Sequence, residues 1–158
     1  MRQITTVLAL DQATKTGYAI YRKGRIIESG TWKLPATNKH FVYEQKLKET
    51  IKKYAISNIV AEDVFFDERR PRAALSLCEL HGILRLVMEM HDMKPITYVE
   101  PDQLKKSTTG NRWAKKAEMI EAVQSYGYTP ATDDEADAIA IMLWYLDVMG
   151  MPIRHPTK

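Results

Sequence analysis

Apolar and polar residues follow two different periods along the chain, and the first third has the period of strands. Short apolar runs rich in β-branched and aromatic residues predict strands at residues 7–10, 17–21 and 26–32. Lys23 and Gly24 separate the second run from the third and predict a tight turn. Because these three segments follow one another with short connections, they predict an antiparallel meander.

The rest of the chain alternates between helix and strand. Residues 41–54 have helical spacing, with Leu47, Ile51 and Tyr54 on one face. Strands are predicted at residues 58–61 and 96–99, and helices at 72–91, 101–106, 114–126 and 133–149. Crossovers between parallel strands are right-handed. We therefore predict an α/β fold, with a mixed five-stranded sheet in which the meander is followed by parallel strands, flanked by helices. It should form one domain over residues 1–150, followed by a loose tail at 151–158.

Composition narrows the class of protein only modestly. A chain of 158 residues is the size of one domain and can bury about two thirds of its unfolded surface. The net charge of +3 permits a polyanionic partner without requiring one. Cys78 is the single cysteine, which we interpret as a small core residue. The sequence lacks both a run of about 18 apolar residues and the apolar segment of a signal peptide, so we expect a soluble cytoplasmic protein.

Four acidic residues stand in unusual places. Asp11 and Glu62 each follow an apolar strand directly, and two central strands would bring them together at the sheet edge where α/β sheets bind ligands. Asp134 and Asp137 are three residues apart and share one face of the last helix. Four converging carboxylates repel one another unless a cation is bound, and oxygen ligands suit Mg²⁺. Two such ions roughly 4 Å apart support phosphoryl transfer.

Each acidic position also has a structural interpretation. Asp11 fits an Asx-turn. Thr132 and Glu135 fit a capping box, and Asp133 complements the dipole of the helix that follows. Capping does not account for Asp137, which lies deeper in an apolar segment. The joint pattern therefore favours a metal-dependent site.

Four motifs resemble those of the RuvC-like Holliday-junction resolvases of the RNase H-like superfamily, particularly the short phage-encoded ones. Residues 7–19 resemble the family's first strand, with its catalytic Asp and the Thr-Gly-Tyr that follows. Residues 61–65 resemble the segment of the second acid, and residues 101–116 resemble the stretch with two functional lysines. Residues 134–140 resemble the closing Asp-x-x-Asp-Ala motif. The four motifs occur in the family's order over nearly the whole chain.

The resemblance implies an RNase H-like fold and a homodimeric, Mg²⁺-dependent endodeoxyribonuclease of DNA recombination and repair, in a bacterial or phage-infected cell. Two ions in each active site, replaceable by Mn²⁺, would support paired nicks in four-way junctions, leaving 5′-phosphates, and the choice between junctions, flaps and forks stays open. The implied metal ligands and catalytic acids are Asp11, Glu62, Asp134 and Asp137. Lys105 and Lys116 are the implied catalytic lysines near the phosphate.

Aromatic and basic residues predict where DNA would lie. Phe65 matches an aromatic residue that family members insert into the junction, and the neighbouring Phe66 is an alternative. A basic loop follows these aromatics, which suits branched nucleic acid because phosphates are neutralised and unpaired bases can stack. A second basic patch surrounds Thr109 and Gly110. The predicted DNA-contacting residues are Phe65, Phe66, Arg69, Arg70, Arg72, Lys105, Arg112, Lys115 and Lys116.

Several departures from the family pattern leave choices open. Gln12 and Ala13 stand where the family usually has Pro-Gly, which alters the turn after Asp11. Asp63 and Asp133 are neighbouring carboxylates that could replace Glu62 and Asp134. A dimer surface is predicted by analogy from apolar residues of the long helix, namely Leu75, Leu80, Ile83, Leu84 and Val87.

Other functions remain as alternatives. Residues 10–17 also resemble the opening motif of YqgF-like RNase H-fold nucleases, which act on RNA. A non-catalytic module that binds branched DNA is a further alternative, although all four acids are present. An ATP-binding domain of the actin and hexokinase type is disfavoured, because such proteins need two domains and a second Gly-rich loop.

Overall fold

The fold is an α/β sandwich built on one mixed sheet, as seen in a computed structural model that describes residues 4–157. The meander comprises β1 (Thr6–Asp11), β2 (Lys15–Arg22) and β3 (Arg25–Lys33), paired antiparallel. The strands β4 (Asn58–Glu62) and β5 (Thr97–Val99) extend the sheet in parallel on the other side of β1, giving the order β3-β2-β1-β4-β5. The predicted fold class and strand arrangement are confirmed.

Helices cover both faces of the sheet. They are α1 (Lys39–Tyr54), α2 (Pro71–Met90), α3 (Pro101–Thr109), α4 (Lys116–Ser125) and α5 (Asp133–Val148). Within residues 4–157, none of the helices has the length and apolar composition needed to cross a membrane.

Two helix boundaries differ from the prediction for local reasons. The helix α3 continues to Thr109, where Gly110 takes a left-handed conformation (φ 80°) that ends it. The helix α4 begins only at Lys116, because residues 111–114 form a turn closed by a bond from the Ala114 amide to the Asn111 carbonyl (3.0 Å). The basic patch predicted around Gly110 therefore lies on a loop between two helices.

Alternation along the strands divides the core into two layers. Val7, Ala9 and Val60 point toward the layer formed by α3, α4 and α5. Leu8 and Leu10 point the other way, toward α1 and α2. Successive side chains of a strand lie on opposite faces, so a residue's position in β1 or β4 decides which layer its side chain enters.

The C-terminal residues do not form the loose tail that was predicted. The Arg154 amide donates to the Gly24 carbonyl (2.7 Å), and the Tyr21 hydroxyl donates to the Pro152 carbonyl (2.7 Å). Met151 and Ile153 pack against the α5 layer. Apolar side chains in the last segment therefore fasten residues 151–157 to the domain, while Lys158 lies outside the described residues.

The prediction for α2 was wrong for three of the five residues assigned to a dimer surface, whereas Leu75 is exposed. Leu80, Leu84 and Val87 are buried in the core of the domain, so they are not available as a dimer surface, and Cys78 is exposed rather than buried. The helix is apolar on more than one face, which the sequence pattern cannot orient. A stripe at helical spacing faces outward instead; we call it the outer stripe of α2, and it consists of Leu75, Cys78, Gly82, Leu86 and Met90.

Gly17 allows the start of α5 to approach the sheet. It lies in β2 opposite Asp11, and a Cβ at this position would be 1.8 Å from the backbone carbonyl oxygen of Asp134. Backbone atoms of a capped helix cannot move aside as a flexible side chain can. The absence of a side chain at residue 17 is therefore a condition for the position of α5.

We expect Gly17→Ala to lower the free energy of unfolding by about 2 kcal/mol or more, as overpacking against backbone does. Alanine favours a strand more than glycine does, so a loss would come from the contact with α5. Urea denaturation followed by circular dichroism measures it. The control is Gly82→Ala in α2, where an added Cβ meets no described atom within 4 Å. Equal stability of the two variants would contradict this account of Gly17.

Candidate active site

The carboxyl ends of β1 and β4 bring two of the predicted acids together. Leu10 pairs with Ala61 in the parallel ladder, so the next residues, Asp11 and Glu62, are neighbours on adjacent strands about 4.8 Å apart. By alternation, both side chains belong to the face of the sheet that α5 covers. The strand pattern thus places two carboxylates under the beginning of α5.

The first turn of α5 is fastened above these strands by polar contacts. The Thr132 hydroxyl accepts from the Glu135 amide (3.1 Å) and caps the helix. The Ser29 hydroxyl donates to the Glu135 carboxylate (2.7 Å), and the hydroxyls of Thr31 and Thr132 share a hydrogen bond (2.6 Å). These contacts tie the start of α5 to β3, so that Asp134 and Asp137 are presented to the sheet.

Asp11 has the most perturbed environment of the four acids. Its pKa is raised well above the ordinary value, first by burial and then by the negative charges of Asp137, Glu62 and Asp134, while Lys116 opposes the rise. A charge shifts the pKa of another group clearly only when the two groups are close together. All four predicted acids therefore belong to one electrostatically coupled site.

The other three acids are perturbed in the same direction. Burial, followed by the charge of Asp137, raises the pKa of Glu62 to about 7, against the opposing charge of Lys105. Burial also raises the pKa of Asp137 to about 6 and raises the pKa of Asp134. These upward shifts favour the protonated carboxyl groups in the absence of a cation, because partial burial and the neighbouring negative charges both disfavour ionisation.

The two alternative carboxylates lie differently. Asp133 is half-buried and accepts a hydrogen bond from Lys116 Nζ (2.7 Å), which lowers its pKa. Asp63 is exposed and accepts from the Val64 amide (2.9 Å), and by alternation it belongs to the opposite face of the sheet from Glu62. The charges that raise the pKa of Asp11 include those of Glu62 and Asp134 but not those of Asp63 or Asp133, whereas the charge of Asp133 raises the pKa of Asp137.

The chemistry of the donors fits a hard divalent cation, since oxygen ligands with negative charge are what such ions prefer. Among residues 4–157, however, no three His, Cys, Asp or Glu side chains are arranged to enclose an ion. The four carboxylates are coupled without forming a closed ligand sphere. Binding an ion would require their side chains to draw closer together.

Three lysines contribute positive charge at this edge. Lys105 in α3 is half-buried and lowers the pKa of both Glu62 and Asp137. Lys116 at the start of α4 acts on Asp11 and pairs with Asp133. The charge of Lys15 lowers the pKa of Asp134. Sequence reasoning missed Lys15, which lies within the motif at residues 7–19 but was not assigned a role there.

A chain of hydrogen bonds holds the turn after Asp11. The Tyr43 hydroxyl donates to Gln12 Oε1 (2.8 Å), and Gln12 Nε2 lies 2.9 Å from His81 Nδ1. His81 Nε2 lies 2.8 Å from the Tyr98 hydroxyl. If the Gln12 amide donates, His81 is neutral and carries its proton on Nε2, in agreement with a pKa lowered first by burial and then by Arg85. Gln12, which replaces the family's usual proline, is thus fixed through its side chain.

The predicted DNA-contacting residues form two exposed segments near the acids. Phe65 and Phe66 follow Glu62 and are 63% and 51% exposed. The basic residues after them are also exposed, although Arg69 is paired with Asp67 (3.0 Å). In the second segment, Arg112 pairs with Asp102 (2.9 Å), and Lys115 is exposed at the start of α4.

The sheet order, the covering helices and the acids at the ends of β1 and β4 define a domain of the RNase H-like class. Solved structures share the fold. A Thermus thermophilus RuvC structure matches with a TM-score of 0.73 at 21% identity, covering 93% of this chain and 98% of that one. The yeast mitochondrial Holliday junction resolvase Ydc2 matches with a TM-score of 0.61 at 13% identity, covering 87% and 75%.

The sequence matches the family model described as "Crossover junction endodeoxyribonuclease RuvC" over residues 7–145. A protein of that name from Brachyspira hyodysenteriae is 35% identical over 104 residues, covering 65% of this chain and 63% of that protein. One from Dictyoglomus turgidum is 28% identical over 153 residues, covering 89% and 95%. The chain belongs to the RuvC family.

We expect Glu62→Gln to stabilise the cation-free protein at pH 8 and to have little effect at pH 4.5. The folded state holds the Glu62 proton up to about pH 7, whereas the unfolded state releases it near 4.5, so stability falls as the pH rises between these values. A glutamine removes this loss, which is about 1–3 kcal/mol. Thermal unfolding in chelator at both pH values measures the effect.

Glu121→Gln, which changes an exposed carboxylate of α4, is the control. An equal gain for Glu62→Gln at pH 4.5 and pH 8 would show that packing rather than charge is responsible.

Proposed function

We propose that this protein nicks the phosphodiester backbone of branched DNA, with four-way junctions as its substrate, in a reaction that requires Mg²⁺. The observation that supports this most directly is the coupling of four carboxylates at the edge of the sheet in a chain of the RuvC family. The similar proteins are named crossover junction endodeoxyribonucleases, and one Thermus thermophilus RuvC structure contains a Holliday junction substrate.

In this proposal, Asp11, Glu62, Asp134 and Asp137 hold the divalent cations. A pair of such ions would polarise the attacking water and the leaving oxygen. The four carboxylates would be ionised in order to hold the ions, and their attachment to two strands and one helix would determine where the phosphate lies. Hydrolysis that releases the 3′-oxygen leaves a 5′-phosphate.

Lys105 and Lys116 face the same phosphate in this proposal. Lys105 already lies close enough to Glu62 and Asp137 to lower the pKa of each. A cation in this position stabilises negative charge that develops on the phosphate oxygens. Lys116 would exchange its contact with Asp133 for the DNA backbone.

The segment after Glu62 would engage the branch point. Phe65 and Phe66 present apolar rings to solvent beside the basic residues Arg70 and Arg72. An aromatic ring stacks on an unpaired base, and arginines neutralise the phosphates around it. In a linear duplex every internal base is stacked on both faces, whereas the base pairs next to an open branch point have a free face, which gives a physical basis for preferring a junction.

We also propose that the outer stripe of α2 binds a second copy of the chain. Leu75, Leu86 and Met90 are each more than half exposed, and they form a row on one helix. Pairing two such rows would bury them and supply two sites, as paired nicks require.

We expect Asp11→Asn and Asp134→Asn to bind a fixed four-way junction but to nick it at least about 100-fold more slowly, because each removes a charged ligand of the site. Asp133→Asn should retain most activity, since Asp133 pairs with Lys116 rather than with Asp11. Single-turnover nicking with Mg²⁺, compared with chelator, measures these rates.

Glu121→Gln serves as the control for loss of a carboxylate. Full nicking by Asp11→Asn, or none by the unaltered protein, would refute the proposed function; a protein that binds without nicking would be a DNA-binding module. Faster cleavage of structured RNA than of junction DNA would favour the alternative RNA substrate.

Leu86→Lys should convert a dimer into a monomer, because it places a charge in the middle of the outer stripe. Sedimentation at several protein concentrations measures the mass. The control is Phe41→Lys, which changes an exposed aromatic residue of α1 outside the stripe. If both variants keep the mass of the unaltered protein, the stripe is not the contact between subunits.

A further inference from the structure

Trp113 is the most exposed of the large hydrophobic side chains in residues 4–157, at 73% of its full accessible surface. It lies in the loop between α3 and α4. The other two tryptophans, Trp32 and Trp144, are each 8% exposed and belong to the core. An indole exposed to this extent offers a wide aromatic face to a ligand.

Hydrogen bonds give the loop a defined shape. The Trp113 amide donates to Asn111 Oδ1 (3.0 Å), and the Asn111 amide donates to the Thr109 hydroxyl (3.1 Å). That hydroxyl donates in turn to the Lys105 carbonyl (2.8 Å), and the next residue after the tryptophan, Ala114, is buried. The indole is therefore presented by a fixed backbone with an anchor directly behind it.

Arg112 supports the ring. Its guanidinium carbon is 4.9 Å from the Trp113 ring, a cation–π distance. The same guanidinium is held by Asp102 (2.9 Å). One cation thus lies against the indole and restricts its orientation, while most of the ring remains open to solvent.

The loop leads directly to the acidic site. Lys116 is three residues after Trp113, which is at most about 11 Å of extended chain, and it contacts Asp133 at the start of α5. Phe65 and Phe66 extend from the same edge of the sheet, after Glu62. Aromatic side chains are therefore present on two separate segments around the acids.

We propose that Trp113, supported by Arg112, is a stacking platform for an unpaired base of the nucleic acid held at the acidic site, separate from the Phe65–Phe66 segment. This inference rests on the proposed function and adds a second base contact. Stacking on an indole tolerates any base, because every base has a π face, whereas a base inside a duplex has none free. Trp113 would thus strengthen the binding of branched DNA selectively.

The test uses the full chain with Asp11→Asn, in chelator, and measures the affinity for a four-way junction and for linear duplex. Adding Trp113→Ala should weaken junction binding roughly 5- to 100-fold, the effect of one lost base stack, with little change for duplex. Trp113→Phe should restore most of the affinity, whereas Trp113→Leu, which is apolar without a π face, should not. Phe41→Ala is the control for loss of an exposed aromatic residue.

Fluorescence gives a second readout in the Asp11→Asn protein. Because Trp32 and Trp144 are buried, acrylamide quenches mainly Trp113, and junction DNA should protect it while duplex should not.

Unchanged junction affinity in Trp113→Ala, or unchanged quenching on binding, would overturn the inference and leave the nuclease proposal standing. A change of mass in Trp113→Ala without a change in DNA affinity would assign the indole to contact between protein chains and also overturn it. Failure of the unaltered protein to nick junctions would refute the proposed function alone if the indole still stacks.

Discussion

Repulsion between half-buried carboxylates is the constraint around which this domain is built. Asp11 lies at the end of a central strand, and the same edge of the sheet receives Glu62 from β4 and Asp137 from α5. Each of these carboxylates would be more stable if it were protonated or if it lay farther from the other two. The rest of the fold resists that tendency: the ladder between β1 and β4 fixes two of the acids, and the capped, tethered start of α5 fixes the others. A protein that held no cation would have little reason to accept this cost.

The two faces of the sheet carry different groups: the acids lie on one face, and the hydrogen bonds that hold the turn after Asp11 lie on the other. Side chains on the α5 face provide the acids, with Lys105 and Lys116 beside them. On the opposite face, the very next residue after Asp11 enters a chain of hydrogen bonds among Tyr43, His81 and Tyr98. One step along a strand is enough to move from one function to the other, because alternate residues point to opposite sides.

Much of this arrangement could be predicted from the sequence. Apolar strands that end directly in Asp11 and Glu62 indicate buried acids at a common edge, and the period of the pattern predicts the strands and helices. The pattern does not predict contacts between distant residues without a motif, such as that between Gln12 and His81. It also cannot orient a helix that is apolar on several sides, which is why Leu80 and Leu84 of α2 were assigned to the wrong surface.

Other features depended on local backbone geometry. The end of α3 at Gly110 and the delayed start of α4 created the loop that exposes Trp113, a residue that composition alone assigns to a core. The approach of α5 to Gly17 is a contact between two backbones, so no pattern of side chains in the sequence predicts it. The C-terminal segment contains only a short apolar stretch, which in the sequence resembles a disordered end. Its contacts with β2 and with the turn at Gly24 are visible only in the structure.

The helix α2 contacts the turn after Asp11 as well as packing against the sheet. Gly82, in its outer stripe, is adjacent to His81, whose ring reaches Gln12 beside Asp11. A single hydrogen bond, between His81 and Gln12, therefore connects the helix that carries the outer stripe to the turn next to Asp11, so a change in the position of α2 would displace that turn.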